Sequence, residues 1–261
     1  MRIIVTIKQV PDTTNVKIDP RTGTLIREGV PSIINPEDKN ALEAALQLRE
    51  RYGGEVIAIS MGPPQAEDAM REALAIGADQ AVLLTDRALA GADTWATAYT
   101  LGTAIKKIGN YDLILSGRQA IDGDTAQVGP QLAEFLDLPQ VTYVRELKIT
   151  DHKVVAQRTL EDGFEEIEAP LPALLTITKE ANKPRYPHAA AIMNAYRQQT
   201  VTTWNAEALA ADPQSIGLEG SPTQVKRSFS PEPRGAGEVL TGPPSEQVKS
   251  LVGRLRAKNI V

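Results

Sequence analysis

The feature that most constrains this sequence is a rhythm. Short apolar runs, "EVIAIS" at 55–60, "QAVLLT" at 80–85 and "YDLILS" at 111–116, alternate with longer stretches whose apolar residues recur at helical spacing. Near-continuous apolar strands are covered on both faces, and this strand–helix order predicts βαβ units in a parallel sheet. A first strand is predicted over residues 2–10, and residues 16–30 read as a small hairpin turning at Asp19–Gly23. A helix then opens at "NPEDKNALEAAL", with Asn35 as N-cap, Pro36 at the first helical position, and Glu37 and Asp38 at its positive end. Leu42, Ala45 and Leu46 form its apolar face, and Gly53–Gly54 end it. A second helix places Ala66, Ala69, Met70, Ala73 and Leu74 on one face; a third, from about Asp93 to Ile108, carries Trp95, Leu101 and Ile105. Further strands are predicted at 140–150, 153–160 and 172–177. The fold class is α/β: a mostly parallel, Rossmann-like sheet with helices on both faces, followed by an extended C-terminal arm with a terminal helix.

The arm follows from a change of character. Residues 1–204 read as the α/β domain, and within it "NKPRYPHAAAIMNAYRQQ" as a loop and short helix. Residues 205–261 read as the arm. Its middle, 212–244, is rich in Pro, Gly and Ser; its end, "SEQVKSLVGRLRAKNIV", carries Val248, Leu251, Val252 and Leu255 at i, i+3, i+4, i+7. An apolar stripe behind a long loop needs a surface, either on its own domain or on a partner subunit. A chain cut at about residue 205 is therefore expected to fold and to lose that partner.

Composition removes several classes of function. The sequence has no cysteine, which excludes disulfides, cysteine-ligated iron–sulfur clusters and a thiol nucleophile. Its two histidines, His152 and His188, are far apart, so no metal site is expected. A net charge of −5 argues against a nucleic-acid partner. No apolar run is long enough to insert into a bilayer, and "MRIIVTIKQV" reads as a strand rather than a signal peptide, so a cytoplasmic location is expected. Redox chemistry, if present, must reside on an organic cofactor.

The candidate site is the junction "LILSGRQAIDGDTAQVGPQLAEFL", residues 113–136. Ligands of open parallel sheets bind beyond the carboxyl ends of the strands. Four loops lie at such ends: Thr6–Val10, Ser60–Pro63, the region before Asp93, and Gly117–Val128. In the last, Gly117 and Gly123 would let the backbone approach a ligand. Successive N–H groups at 123–128 could form an anion-binding nest near a helix start close to 126, with Pro130 in its first turn. Asp122 and Asp124 would brace the loop or meet ribose hydroxyls, their carboxylates turned from phosphate, with Arg118 offsetting local charge. Ordinary turn chemistry with an N-capping Asp or Thr125 is the competing reading. Neither GxGxxG after the first strand nor GxxxxGK[ST] occurs.

At this loop the sequence resembles a known family. "GRQAIDGDTAQVGPQLAEFLDLPQVTYV" is similar to the nucleotide-binding segment of electron-transfer flavoprotein beta subunits. "VTIKQVPDT", "NPEDKNALEAAL", "SMGPPQAEDAMREALAIGADQAVLL", "RTLEDGFEEIEAPLPALLTIT" and "NKPRYPHAAAIMNA" resemble its other segments, so the likeness covers residues 1 to about 200. The resemblance implies a heterodimer with an FAD-carrying alpha subunit. It implies a pocket made by Thr6, Asn35, Pro36, Glu37, Asp38, Met61 and the run Gly117, Arg118, Gln119, Ala120, Ile121, Asp122, Gly123, Asp124, Thr125, Ala126, Gln127 and Val128. Housekeeping members hold a structural AMP there; bifurcating members hold a second FAD. Gly123 and Ala126 stand where housekeeping members have Asp and Asn, and Thr13 and Glu37 stand near positions where those members carry aromatics. These departures, with "VPDT" and "DGDTAQVGP", resemble the bifurcating branch, so FAD is the favoured occupant and AMP the alternative.

The resemblance further implies NADH as electron donor. One electron would pass to the alpha-subunit FAD and on to a flavin dehydrogenase, the other to ferredoxin or flavodoxin, with no catalytic side chain in this subunit. The partner-recognition loop would be 182–196, with Arg185, Tyr186, Ala189, Ile192 and Met193; the arm's Val248, Leu251, Val252 and Leu255 would wrap the alpha subunit. Ala189 stands where housekeeping members place a Leu anchor for acyl-CoA dehydrogenases, which puts that partner class in question. Ile192 and Met193 could substitute, but are expected to face their own helix's packing surface. A stand-alone ATP- or AMP-binding stress-type module is the reading from a different class.

Overall fold

The structure, a computed structural model, describes residues 1–12, 31–226 and 237–261. The hairpin predicted at 16–30, and Thr13, lie outside the described residues. The chain forms two compact units, Met1–Lys226 and Arg227–Val261.

The first unit is built on one nine-stranded sheet in the order β11-β5-β4-β1-β6-β10-β7-β8-β9. Its strands are β1 (Arg2–Thr6), β4 (Glu55–Met61), β5 (Gln80–Leu84), β6 (Leu113–Gly117), β7 (Gln140–Thr150), β8 (Lys153–Thr159), β9 (Phe164–Pro170), β10 (Ala173–Ile177) and β11 (Val201–Trp204). From β11 to β7 every pairing is parallel; β7, β8 and β9 form an antiparallel extension. A separate ribbon pairs β2 (Gln9–Pro11) with β3 (Ser32–Ile34).

Helices cover both faces, as the apolar strands require. On one, α1 (Pro36–Tyr52) and α2 (Glu67–Ile76) bury Leu42, Ala45, Leu46, Met70 and Ala73 against Ile3, Val5, Val56 and Leu115. On the other, α3 (Thr94–Ile108) and α4 (Val128–Phe135) bury Leu101, Ile105 and Leu132 against Ile4, Ile57, Ile114 and Leu174. Successive residues of β1 thus alternate between two cores. Trp95, expected with Leu101 and Ile105, is exposed in the first turn of α3.

Strand β11, which the sequence did not reveal, extends the sheet edge along β5. The compact unit runs past 204 to Lys226. Leu209 and Ile216 are buried in the α3–α4 core, Ala206 N–H donates to Asp86, and Ser221 and Thr223 bind Asp93. In the second unit, α6 (Pro244–Ala257) carries the stripe Val248, Leu251, Val252 and Leu255, none of which is buried. A short helix, α5 (Ala189–Arg197), follows the 182–188 segment.

Candidate functional site

Strand β1 sits beside both β4 and β6. The chain runs outward from β1 to β4 and β5, then returns across to β6 and β10. Connections that diverge from adjacent strands open a crevice at their carboxyl ends, here beyond Thr6 and Gly117. The loop singled out in the sequence therefore stands at the switch point of the sheet.

The first turn of α1 holds this crevice together. Asn35 occupies the N-cap position, but its side chain makes no cap bond. Instead Nδ2 donates to the Gln119 carbonyl at 2.9 Å and Oδ1 accepts from Ile121 N–H at 3.1 Å. Glu37 accepts from Gln119 N–H at 3.1 Å and faces Arg118 at 3.3 Å. Asp38 accepts from Lys8 N–H at 2.8 Å with one oxygen and from Gly117 N–H at 3.1 Å with the other. One helix start thus grips the ends of β1 and β6. Burial pushes the Asp38 carboxyl up to about 7, although Asn35 and the N–H groups of Lys8 and Gly117 favour its charged form.

Packing alone requires glycine at 117. A Cβ there would lie 2.3 Å from Asp38 Oδ1 and 2.8 Å from the α1 backbone. Gly123 differs: a Cβ there meets nothing within 4 Å. Asp124 and Ala126 both have φ of 53°, and Gln127 returns to right-handed values. A left-handed residue before a right-handed one turns neighbouring N–H groups to one side, the geometry of an anion nest. Holding Ala126 there costs about 1–2 kcal/mol. None of the N–H groups from Thr125 to Val128 donates to a described backbone carbonyl. Just beyond, Val128 starts α4, whose first turn contains Pro130.

The acidic side chains of the loop are paired within the protein. Asp122 Oδ1 lies 2.6 Å from Lys8 Nζ, and Asp124 accepts from Gln119 Nε2. Thr125 makes no cap for α4, whose N-cap position is Gln127. Thr6 and Met61 end the neighbouring strands β1 and β4, Thr6 buried and Met61 half-buried. Two further residues escaped the sequence reading. Lys8 is one. The other is Ser116, whose buried Oγ has no hydrogen-bond partner among the described residues and lies 3.0 Å from where a Cβ on Gly129 would be. Open space at Gly123 and N–H groups without a described backbone partner are features that a nucleotide's phosphates would fit.

The partner-recognition residues divide. Arg185 is not presented outward: it binds Glu43 at 2.7 Å and Glu50 at 2.5 Å on α1. Burial raises the Glu43 carboxyl, but the Arg185 hydrogen bonds outweigh it and hold the group below its ordinary value. Asn182 and Asn40 bond reciprocally beside this pair. Tyr186 is 90 % exposed, and Ala189 is exposed. Ile192 and Met193 are also exposed, against the expectation that they face the packing surface; Ala195 takes that place. A groove of about 480 Å³ lies beside them, between β3, α2 and α5, lined by Ile33, Ala69, Glu72, Pro187, Ile192 and Tyr196. Its lining shares no residue with the crevice. Among the described residues no three His, Asp or Glu gather as metal ligands, and no helix is long and apolar enough to cross a membrane.

The electron transfer flavoprotein domain model matches residues 22–209. The caffeyl-CoA reductase-Etf complex subunit CarD of Acetobacterium woodii is 58 % identical, with all of both chains covered. The electron transfer flavoprotein subunit beta of Thermoanaerobacterium thermosaccharolyticum is likewise 58 % identical over the whole of both chains. The acryloyl-CoA reductase electron transfer subunit gamma of Anaerotignum propionicum is 46 % identical, again end to end.

Proposed function

The chain belongs to the electron transfer flavoprotein family, among its beta subunits, and from that premise we propose that it is the small subunit of a bifurcating heterodimer whose crevice holds FAD. The observation that carries this reading is the unfilled surround of Gly123 beside the N–H groups of Thr125–Val128. AMP would be served by the same nest; space beside Gly123 favours the larger ligand. A bound flavin supplies hydride acceptance from NADH and one-electron transfer, to the alpha-subunit FAD and to ferredoxin or flavodoxin.

The protein's own residues bind and orient. Main-chain N–H groups of Thr125–Val128 receive the phosphates. Asn35, Glu37 and Asp38 hold the loop that carries those groups, so their orientation is fixed before the ligand arrives, which lowers the cost of binding. No side chain acts as acid or base. The exposed Tyr186, Ile192 and Met193 and the adjoining groove face a flavin dehydrogenase or reductase. Two relatives are named for CoA-ester reductases, which points to that class of partner. The arm, with its stripe on α6, wraps the alpha subunit.

The test is co-purification with the alpha subunit, followed by acid extraction and nucleotide counting. Two FAD per heterodimer is the expected result. One FAD with one AMP would replace the bifurcating reading with a housekeeping carrier, and a colourless homo-oligomer would overturn the subunit assignment.

A further inference from the structure

The crevice contains one charge that the nest does not explain. Lys8 lies two residues beyond the end of β1, and its main chain is fixed from both sides. Its N–H donates to Asp38 at 2.8 Å, and its carbonyl accepts from Asn35 N–H at 2.9 Å. Only the side chain is free to move. It leaves its own loop and crosses to the loop after β6, where Nζ meets Asp122 Oδ1 at 2.6 Å. The lysine side chain stays 47 % exposed, the aspartate 15 %. The pair spans the ends of the two strands that bound the crevice.

An ion pair this exposed on one side contributes only about 0–1 kcal/mol to stability. The fold therefore gains little from it, yet two loops from distant parts of the sequence are built to make it. The other cation of the loop, Arg118, faces Glu37 and lies 5.6 Å from the Tyr143 ring. Glu37 and Tyr143 hold it in place, whereas among the described residues Lys8 Nζ has one partner, Asp122, and is itself half exposed. An ammonium offers three donors on a flexible stem and can change acceptor without moving its backbone. A phosphate carries at least as much negative charge as the carboxylate and more acceptor oxygens.

We propose that Lys8 is a ligand-binding residue whose ammonium exchanges Asp122 for the phosphate of an adenine nucleotide in the crevice, so that the Lys8–Asp122 pair is a latch opened by the ligand. This rests on the reading of the crevice as a nucleotide site. Asp122 then competes with the ligand for Lys8: it keeps the ammonium poised over the empty crevice and weakens phosphate binding. The acidity of the loop is, at this position, a brake on affinity.

The two partners must therefore respond in opposite directions. The full chain, freed of nucleotide, is titrated calorimetrically with adenosine, AMP and ADP. Lys8→Gln is expected to weaken AMP and ADP about tenfold and leave adenosine within twofold, because adenosine has no phosphate. Asp122→Asn is expected to tighten AMP about threefold. Raising the salt concentration is expected to weaken AMP binding less in Lys8→Gln than in the unaltered chain. A pair that merely braces the loops would make both substitutions weaken all three ligands alike, and that result overturns the latch. So does Lys8→Gln binding AMP as the unaltered chain does. Should Lys8→Gln fail to fold, Asp122→Asn decides alone: tightening sustains the proposal and weakening overturns it. If the unaltered chain binds none of the three, the nucleotide reading itself falls.

Discussion

Two glycines six residues apart in one loop have opposite reasons to be glycine, and this yields a paired test. At Gly117 an added Cβ would stand 2.3 Å from Asp38 Oδ1 and 2.8 Å from Asp38 N and from the Glu37 carbonyl carbon. Two of these atoms are helix backbone and cannot turn aside. Gly117→Ala must push the start of α1 off β6, at about 1–3 kcal/mol for overpacking. The shift also stretches the Asp38 bonds to the N–H groups of Lys8 and Gly117, and a hydrogen bond to a charged group contributes about 1.5–3 kcal/mol. A loss of roughly 3 kcal/mol is the conservative sum, and in a domain of this size it lowers Tm by roughly 6–12 °C. Gly123→Ala meets no protein atom and should keep Tm or raise it slightly, by about 0.4–1 kcal/mol of unfolded-chain entropy. Its methyl group instead enters the space assigned to the ligand and should weaken AMP or FAD binding about tenfold. Differential scanning fluorimetry and calorimetric titration read the two effects separately. A Gly117→Ala protein melting within 2 °C of the unaltered chain would refute the packing argument. A Gly123→Ala protein with unchanged affinity would show that the open space belongs to solvent.

Two further outcomes are expected. Asp38 has a folded-state pKa of about 7 against 3.8 ordinarily. Between those values the folded chain keeps a proton that the unfolded chain has released. Its stabilising contribution is therefore full below pH 4 and lost as pH rises to 7, by at most roughly 4 kcal/mol. Melting curves should show Tm falling more from pH 5 to 8 in the unaltered chain than in Asp38→Asn; parallel curves would contradict this. Chains ending at Trp204 and at Lys226 should also differ. The shorter chain loses the buried Leu209 and Ile216, each contributing about 1.5–3 kcal/mol, and should melt at least 6 °C below the longer one. Equal melting would mean that residues 205–226 are not part of the core.

The βαβ order was legible because it is written in local pattern. Ala66, Ala69, Met70, Ala73 and Leu74 were placed on one face by spacing alone, and all are buried. The loop at 117–128 was legible as one that leads from a parallel strand into a helix, because that junction is local in sequence. Long-range bonding was not legible. Asn35 reads as a cap, but its side chain goes to partners 84 and 86 residues away. Arg185 reads only as part of the partner-recognition loop, and nothing local shows its acceptor Glu43, 142 residues distant. Gly117 and Gly123 look alike in sequence and differ only in what lies opposite. The segment after 204 has the Pro, Gly and Ser of a linker, and its few apolar residues suffice to hold it to the body. Strand β11 has only four residues, too short to show a period.

The acidity of the crevice loses its paradox once each carboxylate is followed to its partner. On the proposed reading the loop aims N–H groups at an anion and cannot let those same groups bond within the protein, so something else must hold the loop's remaining N–H groups still. Side-chain carboxyl groups are suited to this, since each offers two oxygens that accept from backbone donors. Asp38 takes the N–H groups of Lys8, in the loop after β1, and of Gly117, and Glu37 takes that of Gln119. The N–H groups of Thr125–Val128 remain outside any described backbone pairing. Asp38 is buried in α1 and Glu37 nearly so. A side chain fixed from behind braces the loop without standing in the ligand's place. On the proposed reading the acids of α1 brace the loop, Asp124 is held by Gln119, and Asp122 alone, through Lys8, competes with the anion.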